Sequence, residues 1–388
     1  MSRSAGDGGA GHPPDAVPAD ESRDGPSAGE AGGTAPGDVG PKGPGGARRP
    51  PPPTRRETVR GLARELSGAG RDAAVDDARL EAERLVAHVL GIDRAELART
   101  GSEPIGPDQA SRLARAVRRR LSGEPLQHIE GTVHFRELVL AADPRALVPR
   151  PETEQLVDRI AAWAGTRADP AGPRPIGAEG ERSRGSRVIR AGARGRRRGP
   201  PPLESALDIG TGSGAIALSL VAEGVARRAV GVDVSEAALE QARENREAAG
   251  LGPEEVDLRP VMGGLWDALG ENERFDLVVS NPPYVRDEAI EGLPAQIREH
   301  EPREALAGGE DGLRIVREIV AGAAARLRPG GALFLEIGDG QGDAVLELLE
   351  RAGTWADARV ARDLGGEERF VQAHPVAGTG PEVDVEEG

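Results

Sequence analysis

The sequence contains no cysteine. A disulfide framework and a thiolate metal site are therefore excluded, and the composition suits a cytoplasmic protein. Long hydrophobic runs are also missing, so we expect no membrane span, and the polar first residues do not predict a secretory signal. Aromatic residues make up only 2% of the chain. With 55 glycines and 32 prolines, this scarcity indicates that part of the chain lies outside any packed core.

Positive charge is in deficit, because 50 lysines and arginines face 65 aspartates and glutamates, for a net charge of −15. An overall field of this sign repels phosphate backbones. We therefore expect no stable binding of nucleic acid through the overall charge, although local basic patches remain open.

Composition divides the first part of the chain into three segments. Residues 1–53 are rich in glycine and proline with few large apolar side chains, which predicts a disordered extension. Residues 54–123 carry leucine and alanine at helical spacing, which predicts a small helical domain that either docks a partner or supports the next domain. Residues 124–150 contain two short strand-like runs and predict a hairpin linker.

The second part, residues 151–375, alternates strands and helices from Leu203 onward, which predicts a doubly wound α/β sheet. Pro151 is expected near the start of a helix. The predicted strands are Ala206–Ile209, Ala229–Val232, Leu258–Met262, Phe275–Val279, Ala332–Ile337, Ala358–Val360 and a last one containing Phe370. An arginine-rich passage at 165–202 predicts a flexible insertion, with an RNA or ribosome contact as the alternative. Residues 376–388 predict a loose acidic tail.

A glycine-rich turn closes the first predicted strand and opens a helix, with the sequence Asp208-Ile209-Gly210-Thr211-Gly212-Ser213-Gly214. Such a loop lets a nucleotide-like ligand approach the backbone, and nicotinamide enzymes share it. The preceding Asp208 would oppose a pyrophosphate but favour a cationic ligand such as S-adenosylmethionine. Asp233, at the end of the next strand, is placed to accept hydrogen bonds from ribose hydroxyls of either cofactor.

The fourth predicted strand ends in Ser280-Asn281-Pro282-Pro283-Tyr284. The prolines stop strand pairing and leave carbonyl groups pointing outward. The Asn281 side-chain oxygen and the Pro282 carbonyl can each accept one N–H bond from a planar NH2 group, which predicts catalysis by orientation of a nitrogen towards a methyl donor. Pro283 and Tyr284 complete the predicted substrate site, where Tyr284 either stacks on the substrate or packs. No metal is required.

Together these two motifs resemble class I methyltransferases that modify planar nitrogens. Three flanking segments make the chain similar to the bacterial peptide chain release factor N(5)-glutamine methyltransferases, from about Glu57 to Ala373. They are Glu124-Pro125-Leu126-Gln127-His128-Ile129-Glu130-Gly131, Leu147-Val148-Pro149-Arg150-Pro151-Glu152-Thr153-Glu154 and Glu301-Pro302-Arg303-Glu304-Ala305-Leu306.

The resemblance implies a Rossmann-like methyltransferase domain that methylates the glutamine of the Gly-Gly-Gln loop in class-one release factors, with the helical domain helping to dock them. It assigns Gly210 to Gly214, Asp233 and Asn281 to S-adenosylmethionine, and Asn281 to Tyr284 to the glutamine. Family members usually carry an acid near the adenine where this chain has Gly264. Leu265 or Trp266 would then supply apolar contact only. The extension and the insertion are departures that we expect to be dispensable for catalysis.

Rival hypotheses are a methyltransferase for a ribosomal-protein glutamine, an adenine-N6 nucleic-acid methyltransferase, a nicotinamide-dependent dehydrogenase and a noncatalytic binding module. The net charge disfavours the nucleic-acid enzyme, and the flanking segments disfavour both methyltransferase rivals. Tight binding of NADH without binding of S-adenosylmethionine would favour the dehydrogenase. Absence of methyl transfer to any release factor would favour the binding module.

Overall fold

The computed structural model describes residues 52–68, 75, 77–168 and 202–377. The predictions for most of the amino-terminal extension, nearly all of the arginine-rich insertion and the end of the acidic tail lie outside these residues. The carbonyl of Pro53 accepts a hydrogen bond from the amide of Ile105. This hydrogen bond joins residue 53 to the helical region that the sequence predicts at 54–123.

The seven strands that the sequence predicts from Leu203 onward all occur, in the predicted order. The helices are α1 Arg55–Ser67, α2 Ala78–Leu90, α3 Arg94–Arg99, α4 Pro107–Leu121, α5 Leu126–Glu130, α6 Pro151–Ala168, α7 Ala215–Ala222, α8 Glu236–Ala248, α9 Ala295–Arg298, α10 Arg314–Arg326 and α11 Gly342–Ala352. The strands are β1 Thr132–Phe135, β2 Leu138–Ala141, β3 Leu203–Ile209, β4 Ala226–Asp233, β5 Val256–Pro260, β6 Phe275–Ser280, β7 Leu327–Glu336, β8 Trp355–Arg362 and β9 Glu368–Pro375.

The amino-terminal helices α1 to α5 share a hydrophobic core of their own. Thr54 and Glu57 form a capping box that satisfies the first amides of α1. Within the core, Arg120 on α4 forms a bidentate pair with Glu81 on α2, with its Nε 2.7 Å from Oε2. Removing one partner would leave a buried charge, so this pair fixes how the two helices meet.

The antiparallel hairpin of β1 and β2 follows these helices, as the sequence predicts. Its second strand is tied to α8, because Asn245 Oδ1 accepts a hydrogen bond from the amide of Ala141 at 2.6 Å. The same side chain donates from Nδ2 to the carbonyl of Ser213 at 2.9 Å. Asn245 thereby connects the hairpin to the glycine-rich turn.

The larger sheet has seven strands in the order β5-β4-β3-β6-β7-β9-β8. Strands β5 to β7 in this order are parallel, whereas β9 pairs antiparallel with β7 and β8 with β9. The chain order reverses between β3 and β6, which lie side by side. Open α/β sheets bind ligands at the carboxyl ends of the strands that flank such a switch point.

Both faces of this sheet are covered, which confirms the doubly wound prediction. Alternate residues of β3 face opposite sides, so that Ala206 joins the core beneath α6, α7 and α8 while Leu207 and Ile209 join the core beneath α10 and α11. The strands are apolar on both faces for this reason. The sheet edge that carries the polar turns is thereby held rigidly.

Four details of the sequence-based prediction were wrong. Helix α6 continues through Gly165 to Ala168, so the first residues of the predicted insertion are helical. The short helix α5 lies inside the predicted hairpin linker. Strand β5 ends at Pro260, two residues before the predicted end, and Met262 is exposed. Unpredicted short helical turns occupy 287–305, where proline-started turns replace the periodic apolar pattern on which the prediction depended.

No helix in the described part of the chain combines the length and apolar character that crossing a membrane requires.

Candidate functional site

A cavity of about 320 Å³ lies at the carboxyl ends of β3 and β6. It is bounded by the glycine-rich turn, the end of β4, the turn after β6 and the loop before α6. Its lining includes Gly210, Thr211, Gly212, Ser213, Asp233, Leu265, Asn281, Pro282 and Pro283 among the predicted residues, together with Thr153, Val234, Val261, Glu304 and Ile315. The sheet therefore brings most of the predicted site residues to one place.

The glycine-rich turn presents backbone rather than side chains to this cavity. Gly210 and Gly212 have φ angles of 67° and 55°, which residues with a Cβ rarely adopt. The amide of Gly212 donates to Asp233 Oδ2 at 2.8 Å. Gly214 lies behind the turn at the start of α7, outside the cavity lining.

Asp208 lies beneath the turn and does not line the cavity. Its Oδ2 accepts hydrogen bonds from the Thr211 hydroxyl at 2.7 Å and the Ala217 amide at 3.1 Å. Its Oδ1 has no hydrogen-bond partner among the described residues. Burial raises the pKa of Asp208 to about 7, against the two hydrogen bonds that lower it. The carboxylate therefore shapes the turn from within, which differs from the direct contact that the sequence suggested.

Asp233 lines the cavity from the end of β4. Its two oxygens accept from the amides of Gly212 and Ser235, at 2.8 and 2.9 Å. Burial raises its pKa above the ordinary aspartate value. A carboxylate held by two backbone amides in the cavity wall is suited to accept hydrogen bonds from ligand hydroxyls.

Leu265 and Trp266, the predicted apolar pair, separate in the structure. Leu265 lines the cavity, whereas Trp266 does not. The Trp266 ring packs on α10 so closely that a Cβ at Gly322 would lie 2.4 Å from it. Beside them, the amide of Gly264 donates to Asp267 Oδ2 at 2.7 Å, so Asp267 caps the turn.

The features of this cavity fit S-adenosylmethionine. Its walls combine an open glycine backbone, the carboxylate of Asp233 and an apolar patch of Val234, Val261 and Leu265. The unpaired Asp208 Oδ1 lies under the same turn. A cationic ligand with a ribose and an adenine needs these three kinds of surface. Among the described residues, no cluster of three or more histidine, aspartate or glutamate side chains has the arrangement of a metal site.

The turn after β6 carries the second predicted motif. The Ser280 hydroxyl donates to the carbonyl of Ile209 at 2.7 Å and joins the two central strands. Within the described residues, neither the Asn281 Oδ1 nor the Pro282 carbonyl accepts a hydrogen bond. Two acceptors at the cavity wall are therefore available for a ligand N–H pair.

Tyr284 lies behind this turn rather than in the cavity lining. Its ring faces Gly338, and its carbonyl accepts a hydrogen bond from Gln341 Nε2 at 3.2 Å. Desolvation raises the pKa of its hydroxyl. Of the two alternatives left open by the sequence, packing describes the position of Tyr284 in this structure.

A second loop supports the turn through backbone contacts. The amide of Val285 donates to the carbonyl of Leu306, and the amide of Gly308 donates to the carbonyl of Val285. A Cβ at Gly308 would lie 2.7 Å from the Pro283 oxygen. Residue 308 must therefore be glycine for this contact.

Two of the flanking segments also meet, because Arg150 Nη2 lies 2.6 Å from Glu301 Oε2. Glu301 is buried, which raises its pKa against the opposing effect of Arg150. This pair joins the start of α6 to the segment that precedes Gly308.

Sequence reasoning missed Thr153 and Glu336, which lie behind Asn281. Asn281 Nδ2 donates to Thr153 Oγ1 at 3.2 Å, and the Thr153 hydroxyl donates to Glu336 Oε2 at 2.8 Å. One signal was available, since Glu336 is an acid that ends an apolar strand. The carboxyl ends of parallel strands meet at one edge of a sheet, so this position indicated the site.

A separate basic groove of about 690 Å³ lies between α1, α2 and α3. Its lining combines four apolar residues, Val59, Ala63, Leu97 and Ala98, with six arginines, at positions 55, 56, 60, 64, 79 and 94. Glu83 pairs with two of them, at positions 79 and 94. Within the described residues, Arg56, Arg60 and Arg64 have no carboxylate at ion-pair distance.

Two family models match the chain. One is described as the PrmC N-terminal domain and covers residues 58–131, and the other is a methyltransferase domain that covers residues 206–300. The first spans most of α1 and all of α2 to α5, and it ends just before the hairpin. The second contains the glycine-rich turn and the turn after β6.

The chain is similar over most of its length to curated release factor glutamine methyltransferases. The enzyme of Geobacter sulfurreducens is 35% identical over 314 residues, which cover 81% of this chain and 95% of that one. The enzyme of Deinococcus radiodurans is 37% identical over 306 residues, covering 79% and 94%. Among solved structures, the Thermus thermophilus 16S rRNA N2 G1207 methyltransferase with AdoMet and guanosine aligns with a TM-score of 0.39 and 19% identity, covering 63% of this chain and 50% of that one.

Proposed function

The chain belongs to the release factor glutamine methyltransferases, and on that premise we propose that it methylates the side-chain amide nitrogen of the glutamine in the Gly-Gly-Gln loop of class-one release factors. The single observation that carries the proposal is the pair of unpaired acceptors at the cavity wall, Asn281 Oδ1 and the Pro282 carbonyl. A primary amide offers two N–H donors in one plane, which such a pair can hold.

S-adenosylmethionine supplies an electrophilic methyl group when bound. Gly210, Thr211, Gly212 and Ser213 would hold it through the backbone of the turn, supported from behind by Asp208 and Gly214. Asp233 would accept hydrogen bonds from its ribose, and Leu265 would contact its adenine. Trp266 would support that contact only indirectly, by packing the segment against α10. No metal is part of the proposal.

The residues after β6 would bind and orient the substrate. Asn281 Oδ1 and the Pro282 carbonyl would each accept one N–H of the glutamine, which directs the nitrogen lone pair out of the amide plane towards the methyl donor. Asn281 would border the cofactor as well. Pro283 would form the wall beside the amide, and Tyr284 would hold the turn in place from behind.

The acceptors would also promote reaction at an intrinsically poor nucleophile. The N–C bond would form as the S–CH3 bond of the sulfonium breaks, and the nitrogen would lose one of its two protons to water. While the nitrogen gains its fourth bond, its hydrogens become more acidic and their hydrogen bonds to Asn281 and Pro282 strengthen. Interactions that strengthen in the transition state raise kcat, and acceptors already held in place need no reorganisation as the charge develops.

We also propose that the basic groove helps to dock the release factor. A lining of apolar side chains and arginines fits an acidic protein segment, and the net charge of −15 disfavours a nucleic acid as its occupant. Arg56, Arg60 and Arg64 are the natural contacts, since the described residues leave them without carboxylate partners. A cytoplasmic location, where such a substrate is made, stays a prediction.

The alternative functions differ in the substrate group that the turn after β6 would bind. A ribosomal-protein glutamine or an adenine NH2 offers the same donor geometry to Asn281 and Pro282, so the turn alone does not choose between them. The curated relatives are named for release factors, which favours that substrate. A dehydrogenase would leave the acceptor pair without a role.

The test is to incubate the protein with methyl-labelled S-adenosylmethionine and a purified class-one release factor. Transfer to the wild-type factor, and none to a factor whose Gly-Gly-Gln glutamine is replaced by glutamate, is expected because glutamate lacks the NH2 group. Equal labelling of both factors, or tight binding of NADH with no binding of S-adenosylmethionine, would contradict the proposal.

A further inference from the structure

The amide of Asn281 ends a chain of hydrogen bonds that runs into the protein interior. Thr153 lies in the first turn of α6 and Glu336 at the end of β7, and only 4% and 1% of their surfaces are exposed. The chain passes from Asn281 Nδ2 to Thr153 Oγ1 and from the Thr153 hydroxyl to Glu336 Oε2. Three distant segments of the sequence therefore meet behind one side chain.

Which group donates in each of these hydrogen bonds follows from the hydrogen-bonding capacity of each group. An ionised carboxylate only accepts hydrogen bonds, and a threonine hydroxyl has a single hydrogen. When Glu336 is ionised, Thr153 must give that hydrogen to it and can offer Asn281 only lone pairs. Asn281 must then turn its NH2 group towards Thr153, which leaves its oxygen for the cavity.

The opposite orientation of the amide would defeat substrate binding. An asparagine amide has nearly the same shape when its oxygen and nitrogen are exchanged, so shape alone does not select one orientation. With the NH2 group facing the cavity, Asn281 would oppose the NH2 group of the substrate, donor against donor. The hydrogen bonds behind Asn281 select the productive orientation.

We propose that Thr153 and Glu336 are positioning residues that fix the Asn281 amide with its oxygen towards the substrate nitrogen. The proposal rests on the proposed function for the identity of the substrate. The orientation of the Asn281 amide can be measured without any substrate.

The protonation state of Glu336 sets the donor–acceptor direction of these hydrogen bonds. The pKa of Glu336 is raised to about 7, because burial and, more weakly, Glu152 raise it against the opposing effects of Thr153, Arg369 on β9 and Arg150 before α6. Among the described residues, the Tyr284 hydroxyl also interacts electrostatically with Glu336. Protonated Glu336 carries its own hydrogen and can donate to Thr153, which frees the Thr153 hydroxyl to donate to Asn281 Oδ1. The amide should therefore turn as the pH falls below about 7.

The first experiment compares two substitutions at Thr153. Thr153→Val removes the hydroxyl at nearly constant volume, and we expect kcat to fall on the order of 100-fold with little change in the affinity for S-adenosylmethionine. Thr153→Ser keeps the hydroxyl and should restore kcat to within a few-fold of the wild type. Equal kcat for the valine variant and the wild type, or equal loss in both variants, would overturn the proposal.

The second experiment needs no catalysis. The chain has three asparagines, Asn245, Asn272 and Asn281, so isotope labelling of asparagine gives three side-chain NH2 signals in an NMR spectrum. The signal that disappears in Asn281→Ala belongs to Asn281. It should titrate near pH 7 in the wild type, stay fixed in Glu336→Gln and be displaced in Thr153→Val.

These two experiments separate the possible failures. A wild-type protein that transfers no methyl group to a release factor but shows the Asn281 titration would refute the proposed function. It would leave intact the proposal that Thr153 and Glu336 orient Asn281. An Asn281 signal that is insensitive to Thr153→Val and to Glu336→Gln would refute the positioning role of these two residues, whatever the substrate.

Discussion

Replacement of Asp208 by asparagine should remove a specific pH dependence from the stability of the protein. In the native state Asp208 is buried and has a pKa of about 7, whereas its ordinary value is 3.8. The folded protein therefore binds this proton more tightly than the unfolded chain. The contribution to stability is fully present below pH 3.8 and is lost as the pH rises through about 7.

The size of the effect follows from the pKa difference. About three pKa units at about 1.4 kcal/mol each give a penalty of about 4 kcal/mol above pH 7, compared with about 2 kcal/mol at pH 5. Asparagine can accept the hydrogen bonds of Thr211 and Ala217 with its oxygen and carries no charge. Its NH2 group would replace the unpaired Oδ1, which adds a cost that does not vary with pH.

The quantity to measure is therefore the difference in the free energy of unfolding between Asp208→Asn and the wild type, as a function of pH. Urea unfolding followed by tryptophan fluorescence at pH 5, 6, 7 and 8 should show the variant gaining about 2 kcal/mol on the wild type across this range, or roughly 1 M in relative midpoint. Glu240→Gln, at an exposed carboxylate of α8, controls for loss of a charge. A difference between Asp208→Asn and the wild type that stays constant with pH would refute the reasoning.

Three further predictions concern the turn after β6, the cofactor and the basic groove. Gly308→Ala would force a Cβ to within 2.7 Å of the Pro283 oxygen, so kcat should fall about tenfold or more. As a control, a Cβ at Gly61 meets no atom within 4 Å, so Gly61→Ala should leave kcat unchanged. Asp233→Asn should raise the Kd for S-adenosylmethionine about tenfold, measured by calorimetry, because charged acceptors form the stronger hydrogen bonds; an unchanged Kd would contradict its role. Arg60→Glu with Arg64→Glu should raise KM for the release factor without changing kcat, and an equal effect of Arg118→Glu, on α4 outside the groove, would count against docking there.

Much of the fold could be predicted because local patterns decide it. The alternation of strands and helices predicted the class of sheet. The glycines after Asp208 marked the end of β3, and the prolines after Ser280 marked the end of β6. Since parallel strands end at one edge, the two motifs were expected together. Short helices such as α5 and α9 escaped prediction because four or five residues carry too little periodicity.

The candidate site was harder to predict where long-range packing decides the direction of a side chain. Leu265 and Trp266 are neighbours, yet only Leu265 faces the cavity because Trp266 finds space against Gly322 on α10. Asp208 looked like a ligand contact but is held beneath its own turn. Thr153 and Glu336 are 183 positions apart, so no local pattern connects them.

The most direct test of the central claim is tandem mass spectrometry of a class-one release factor after incubation with the protein and S-adenosylmethionine. We predict one methyl group on the side-chain nitrogen of the Gly-Gly-Gln glutamine, and a loss of rate on the order of 100-fold or more with Asn281→Ala, since one of the two acceptors is removed. A methyl group on any other atom, or an undiminished rate with Asn281→Ala, would contradict the account.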